Sequence, residues 1–228
     1  MVQTLAAIQA QLDTSMTVTV QEVEQRVVQA LVSELPEYRF FKTHHHFRTG
    51  FDGGQKYVTV HVSSRSGGSC TMAFYWSLRH DRVAKALREL NGMPPKLTHS
   101  DVTLTFFTMN LGPNSPRWPH PSPGYWRIET PSELDLAVRG AALLVRDVGR
   151  AYLDKHEDPL AAKATLVDRN GLHSHPFPFE PVVAMDHANI ADLTANEEAQ
   201  LKSRFTDPQA NALLDALLRN AKNLKASE

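Results

Sequence analysis

The stretch from Lys56 to Leu78, KYVTVHVSSRSGGSCTMAFYWSL, decides the fold class. Val58, Val60 and Val62 alternate with Tyr57, Thr59, His61 and Ser63, and Cys70, Met72, Phe74, Trp76 and Leu78 alternate with Thr71, Ala73, Tyr75 and Ser77. A period of two sends successive side chains to opposite faces of a strand. Ser66-Gly67-Gly68 between the two runs is a turn signal, so Lys56–Ser64 and Ser69–Leu78 are expected to pair as a hairpin. The pattern predicts an antiparallel sheet with one apolar face and one largely polar face.

Upstream, Tyr38 to Arg48 reads as a further strand, set off by Gly50 and Asp52-Gly53-Gly54. Before it, Thr19 and Glu22 have the spacing of a capping box, in which hydroxyl and carboxylate each satisfy an orphan amide. Val23, Val27, Leu31 and Leu35 recur every four residues and predict a helix from Val20 to Leu35, stopped by Pro36. The first fifteen residues carry no Lys or Arg and are broken by glutamines, unlike a secretory signal. They suggest a short helix with Leu5, Ile8 and Leu12 on one side.

Downstream, Asp81 is positioned to cap a helix to Leu90 that Asn91-Gly92 ends, and Asp101 to Leu111 is a fourth strand. Six prolines interrupt the segment from Gly112 to Pro131, which also holds Trp118, Tyr125 and Trp126, with a short strand at Tyr125 to Glu129. Thr130-Pro131-Ser132-Glu133 joins a capping box to a proline at the first helical position. The helix it opens is expected to reach Leu153, with Leu134, Val138, Ala141, Val145, Val148 and Tyr152 inward. Asp158-Pro159 opens another. Past Gly171 the run His173 to Pro181 is expected to be extended, and helices start near Thr194 and Pro208. The expected architecture is α+β: residues 1–170 form an antiparallel four- to five-stranded sheet covered on one face by helices. Residues 171–228 form an extended Pro/Phe linker and a helical C-terminal segment.

The 228 residues carry 24 basic and 25 acidic side chains, a formal net charge of −1, so no global field favours nucleic acid or an anionic membrane. No run approaches the roughly 18 consecutive apolar residues of a membrane span. Cys70 is the one cysteine, which excludes an intramolecular disulfide and points to a reducing, cytoplasmic setting. Within its apolar alternation it reads as a small buried hydrophobe.

No HExxH, GxSxG, Walker loop, GxGxxG or deaminase signature is present, and no cofactor is expected. Eleven histidines include the run His44-His45-His46. On a continuous strand His44 and His46 would share a face with Lys42, Arg48, Tyr57 and His61, while His45 points away. That face reads as an anion- and protein-binding surface, with donors from Lys42, His44, His46, Arg48, His61 and Arg65 and flat area from Tyr57 and Tyr75. The same histidines allow a metal-dependent hydrolase reading in which His44, His46 and His61 are ligands. Arg117-Trp118 in the proline loop has the residue types that dominate protein interfaces, held by a stiff backbone. His173-Ser174-His175 also has alternating spacing and would allow a metal site with Glu180 or Asp186 as the acidic ligand, but with Pro176 beside it the run fits a linker better, and Asp186-His187 are neighbours that seldom face each other.

The order helix, Tyr38-Arg39-Phe40-Phe41-Lys42 with Phe47-Arg48, Val58 to Arg65, Cys70 to Leu78, Thr105 to Gly112 and Tyr125-Trp126-Arg127-Ile128 before a long helix resembles a family of small bacterial α+β domains. That family has no assigned function and occurs near polymorphic-toxin immunity genes. The resemblance spans Val20 to Leu153. It implies a non-enzymatic cytoplasmic immunity protein that neutralises a toxin by direct contact. A third reading makes the chain a phage or secretion-system assembly protein that oligomerises through its C-terminal helices.

Overall fold

The computed structural model describes residues 18–65, 68–110, 120, 123–168, 170–205 and 207–227. The expected helix around Leu5 to Leu12, and Arg117 and Trp118, lie outside the described residues. The fold is α+β. Six strands form an open antiparallel sheet in the order β1 (Arg39–Phe41), β2 (His46–Phe51), β3 (Gly54–Ser64), β4 (Cys70–His80) and β5 (Leu104–Phe107), with β6 (Tyr125–Ile128) also pairing β4. The helices are α1 (Val20–Glu34), α2 (Asp81–Leu90), α3 (Pro131–Leu144), α4 (Arg150–Lys155), α5 (Pro159–Val167), α6 (Phe179–His187), α7 (Ala195–Lys202) and α8 (Pro208–Lys225). No helix among the described residues is long and apolar enough to cross a membrane.

Two compact units are distinguished. Described residues within 1–48, 58–75 and 107–151 belong to the first, and those within 49–57, 76–106 and 152–228 to the second. In the first unit the Thr19 hydroxyl accepts from the Glu22 amide, and Val23, Val27 and Leu31 form the buried stripe of α1. That helix packs on α3, which in turn packs on β6. Both halves of the capping box at Thr130 and Glu133 are formed. In the second unit α2, α6 and α8 pack on one another, α5 packs on α6, and Phe179 is fully buried.

Four differences from the sequence expectations have physical causes. The run Tyr38 to Arg48 is a hairpin, not one strand: Phe41 pairs with His46 across a tight turn in which Lys42–His44 is 3-10 helical and His45 is left-handed at φ 48°. Histidine tolerates that conformation better than most non-glycine residues, so no Gly or Pro marks the reversal. The long helix from Pro131 is interrupted by a π turn at Val145–Gly149, whose extra residue shifts the buried face to Leu144, Val145, Gly149, Tyr152 and Leu153. Strand β4 is buried on both faces except at Tyr75 and Arg79: the side expected to be polar carries the small Thr71, Ala73 and Ser77, all covered, with the two hydroxyls satisfied by Ser63 and Thr105. Finally, the stretch expected to stay extended through Pro181 turns helical at Phe179; a proline in the first helical turn forfeits only a donor that has no intrahelical partner.

Candidate functional site

The hairpin of β1 and β2 places Arg39 opposite Arg48 and Phe41 opposite His46. Directly paired residues share a sheet face, so these four side chains form one patch. The Arg48 guanidinium lies 4.1 Å from the centre of the Phe41 ring and that of Arg39 lies 5.2 Å from it. Each is within the range in which the electron-rich ring face attracts a cation. His46 leans on Phe41 with ring centres 5.5 Å apart, and exposed His44 stacks on His46 at 5.6 Å and 10°. Among the described residues neither guanidinium is paired with a carboxylate, as is also so for Arg65, Arg82 and Arg139, but only these two lie over one aromatic ring.

Phe40 and Phe47 alternate to the opposite side, where their rings meet at 4.9 Å. There Phe40, Lys42 and His45 join Gln21, Glu24, Gln25, Val28 and Gln29 of α1 around a groove of about 600 Å³. His45 approaches Glu24 at 3.4 Å. The groove is walled by Phe40 and Val28 together with amides and one charge of each sign, so no excess of positive charge suits it to an anion.

The residues singled out from the sequence are therefore split. Arg48, His44 and His46 do come together. Lys42 does not join them: the 3-10 turn carries it to the groove beside α1. His61 meets a different pair, edge-on to Tyr75 and Phe107 at 5.8 Å each, while Tyr75 and Phe107 stack at 4.0 Å and 8°. Tyr57 is buried and belongs to the second unit. Among the described residues no three His, Cys, Asp or Glu side chains gather as a metal would require, so His44, His46 and His61 are not a ligand set. Arg39 and Phe41 were missed. With Tyr38 to Arg48 taken as a single strand, nothing placed residue 41 against residue 48.

Cys70 is buried, its Sγ lies 3.5 Å from the Val18 carbonyl oxygen, and burial raises its pKa; a thiol held protonated is a poor nucleophile. Asp186 and His187 turn to different partners, Asp186 to Lys225 and the Leu193 amide, His187 to Glu89. Comparison with protein-family models, with curated proteins and with solved structures found no match.

Proposed function

We propose that the chain is a non-enzymatic protein-binding protein of the immunity type, which grips an acidic stretch of its partner, a toxin, with Arg39, Phe41 and Arg48. The observation that carries this reading is the pair of guanidiniums over one phenylalanine ring, with no carboxylate of the described residues to neutralise either. Arginine and aromatic side chains are enriched where binding energy concentrates, and a guanidinium already fixed on a ring loses little freedom when it takes a carboxylate. β1 ends the strand order, which leaves the patch at a sheet edge. The same charges also guard that edge against unwanted strand pairing. The toxin-neutralising form of the reading rests on the family resemblance, and a cytoplasmic setting on the lone, buried, reduced Cys70.

The test is affinity purification of the full chain from its native cell, with mass spectrometry and elemental analysis of the eluate. One protein should co-purify with the native chain and be lost with the Arg39→Glu, Arg48→Glu double variant. Recovery of the same partner in undiminished amount by that variant would sink the proposal.

A further inference from the structure

The second unit contains a cavity of about 370 Å³, within the size range of small-molecule sites. Its wall comes from three stretches: Leu87, Arg88, Asn91 and Met93 at the end of α2; Ser100 to Val102 and Thr105 leading into β5; and His175, Pro176 and Glu180 at the start of α6. Most of its polar groups are already committed. The Arg88 guanidinium donates to Asp101 Oδ1 at 2.8 Å and to the Pro94 carbonyl. The other Asp101 oxygen accepts from the Thr98 amide and hydroxyl. Asn91 Nδ2 donates to the Leu87 carbonyl and the Thr105 hydroxyl bonds Ser77.

Glu180 is different. Among the described residues its carboxyl has no hydrogen bond and no ion pair, and burial raises its pKa above the ordinary carboxylate value. The neighbouring imidazole offers no counter-charge: burial pushes the His175 pKa down to about 4, and its Nδ1 accepts from the Phe177 amide at 3.3 Å, leaving the proton on Nε2. Arg88 is held by Asp101. The cavity thus presents one unneutralised carboxylate and one neutral N–H donor, set among Leu87, Met93, Val102 and Pro176. The half-buried Glu180 carboxylate, given no donor by the described residues, is left to water in the cavity, which a cationic ligand would replace with a direct ion pair.

We propose that this cavity binds a small organic cation with an apolar body, an alkyl- or arylammonium, whose ammonium group pairs with Glu180 while its hydrocarbon lies on Leu87, Met93 and Val102. The neutral His175 N–H serves an acceptor oxygen when the ligand has one, so an aliphatic amine carrying a carbonyl engages both Glu180 and His175. The site belongs to the second unit and does not depend on how the β1–β2 patch is used.

The probe is benzylamine, with benzyl alcohol as the neutral molecule of nearly the same shape, titrated into the isotopically labelled full chain and followed by two-dimensional NMR. Benzylamine should saturate with Kd on the order of 1 mM, as its few heavy atoms allow, and shift resonances from 87–105 and 175–180. Benzyl alcohol should bind at least tenfold more weakly, and Glu180→Gln should remove that preference. Val102→Phe, which fills the cavity and leaves Glu180 in place, should abolish binding, and carries the test if the Glu180 variant does not fold. Equal binding of the alcohol and the amine, unchanged amine binding in either folded variant, or the absence of saturable shifts at these residues would overturn the proposal.

Discussion

Three imidazoles of the second unit are held neutral by burial, and this makes its stability depend on pH. His80 Nε2 faces the Glu157 carbonyl at 3.0 Å, and His156 bonds the Tyr152 carbonyl through Nδ1 and the Thr165 hydroxyl through Nε2. Burial lowers the pKa of both, more than the surrounding carbonyls and the Asp81 and Asp158 charges raise that of His80; Lys155 adds to the lowering at His156. His175 follows the same rule. In the unfolded chain each titrates near the ordinary value of about 6.5, while the folded forms resist protonation. Below that pH the unfolded state binds more protons, so this stability is complete above about pH 6.5 and is lost as pH falls through the folded values. Two histidines contribute at most about 2.7 kcal/mol per pH unit and a third about half as much again. Urea midpoints should therefore fall between pH 6.5 and 5, and His156→Gln should flatten that decline. A pH-independent midpoint in this interval would contradict the assignment. The lowered carboxyls of Asp101, Glu133 and Glu197 act in a separate, more acidic window.

At the scale of single elements, end signals tell on stability. The Thr130 hydroxyl accepts from the Glu133 amide while the Glu133 carboxylate accepts from the amides of Glu129 and Thr130. Thr130→Ala should cost about 1 kcal/mol, read from chemical denaturation. Gly54 is more sensitive. A Cβ there would run into the Arg79 carbonyl oxygen and the Phe51 ring, and the backbone oxygen cannot swing aside as a side chain would. Gly54→Ala should destabilise by about 1–3 kcal/mol, and an unchanged melting temperature would show that the β2–β3 turn rearranges freely.

Most helix starts were legible because one or two side chains at fixed spacing satisfy an orphan amide: Thr19, Thr130, Asp158, Thr194 and Asp207 all cap as their neighbours predict. Asp81 does not cap as expected: it is the first residue of α2, after His80, and its carboxylate accepts from Arg79. The reversal at Lys42–His45 was not legible, since it uses residues with no strong turn preference. Nor was the π turn after Leu144, which leaves the apolar composition intact and changes only which residue faces inward. The candidate patch inherited the first of these: Arg48 and two histidines were visible from their types, while Arg39 and Phe41 needed the hairpin. Glu180 stood out in the sequence only as an acidic neighbour of His173 and His175, because its isolation is a property of the space around it.

The molecule as a whole depends on its last long helix. Ala210, Leu214, Leu217 and Ala221 of α8 are buried, and α8 packs on α2 and α6, with Asn220 donating to the Leu90 carbonyl and Lys225 to Asp186. Each fully buried leucine is worth roughly 1.5–3 kcal/mol. The apolar side that suggested an assembly surface is thus largely spent inside the chain. A chain ending at residue 206 should lose several kcal/mol, seen as a lower urea midpoint, and expose apolar surface to a hydrophobic dye. An unaltered midpoint would return α8 to the role of a contact surface.

The interleaving of the two units also sets a timetable for the growing chain. The first unit's residues are all made by Ala151, and β2, β3 and β4 each carry residues of both units. The second is incomplete until α8 has been made, which at about 5–20 residues per second takes roughly 4–15 s more. During that interval the nascent polypeptide holds finished strands beside α2 faces that α6 and α8 have yet to cover. Slow translation over residues 152–225 would therefore lengthen the time for which that apolar surface stays uncovered.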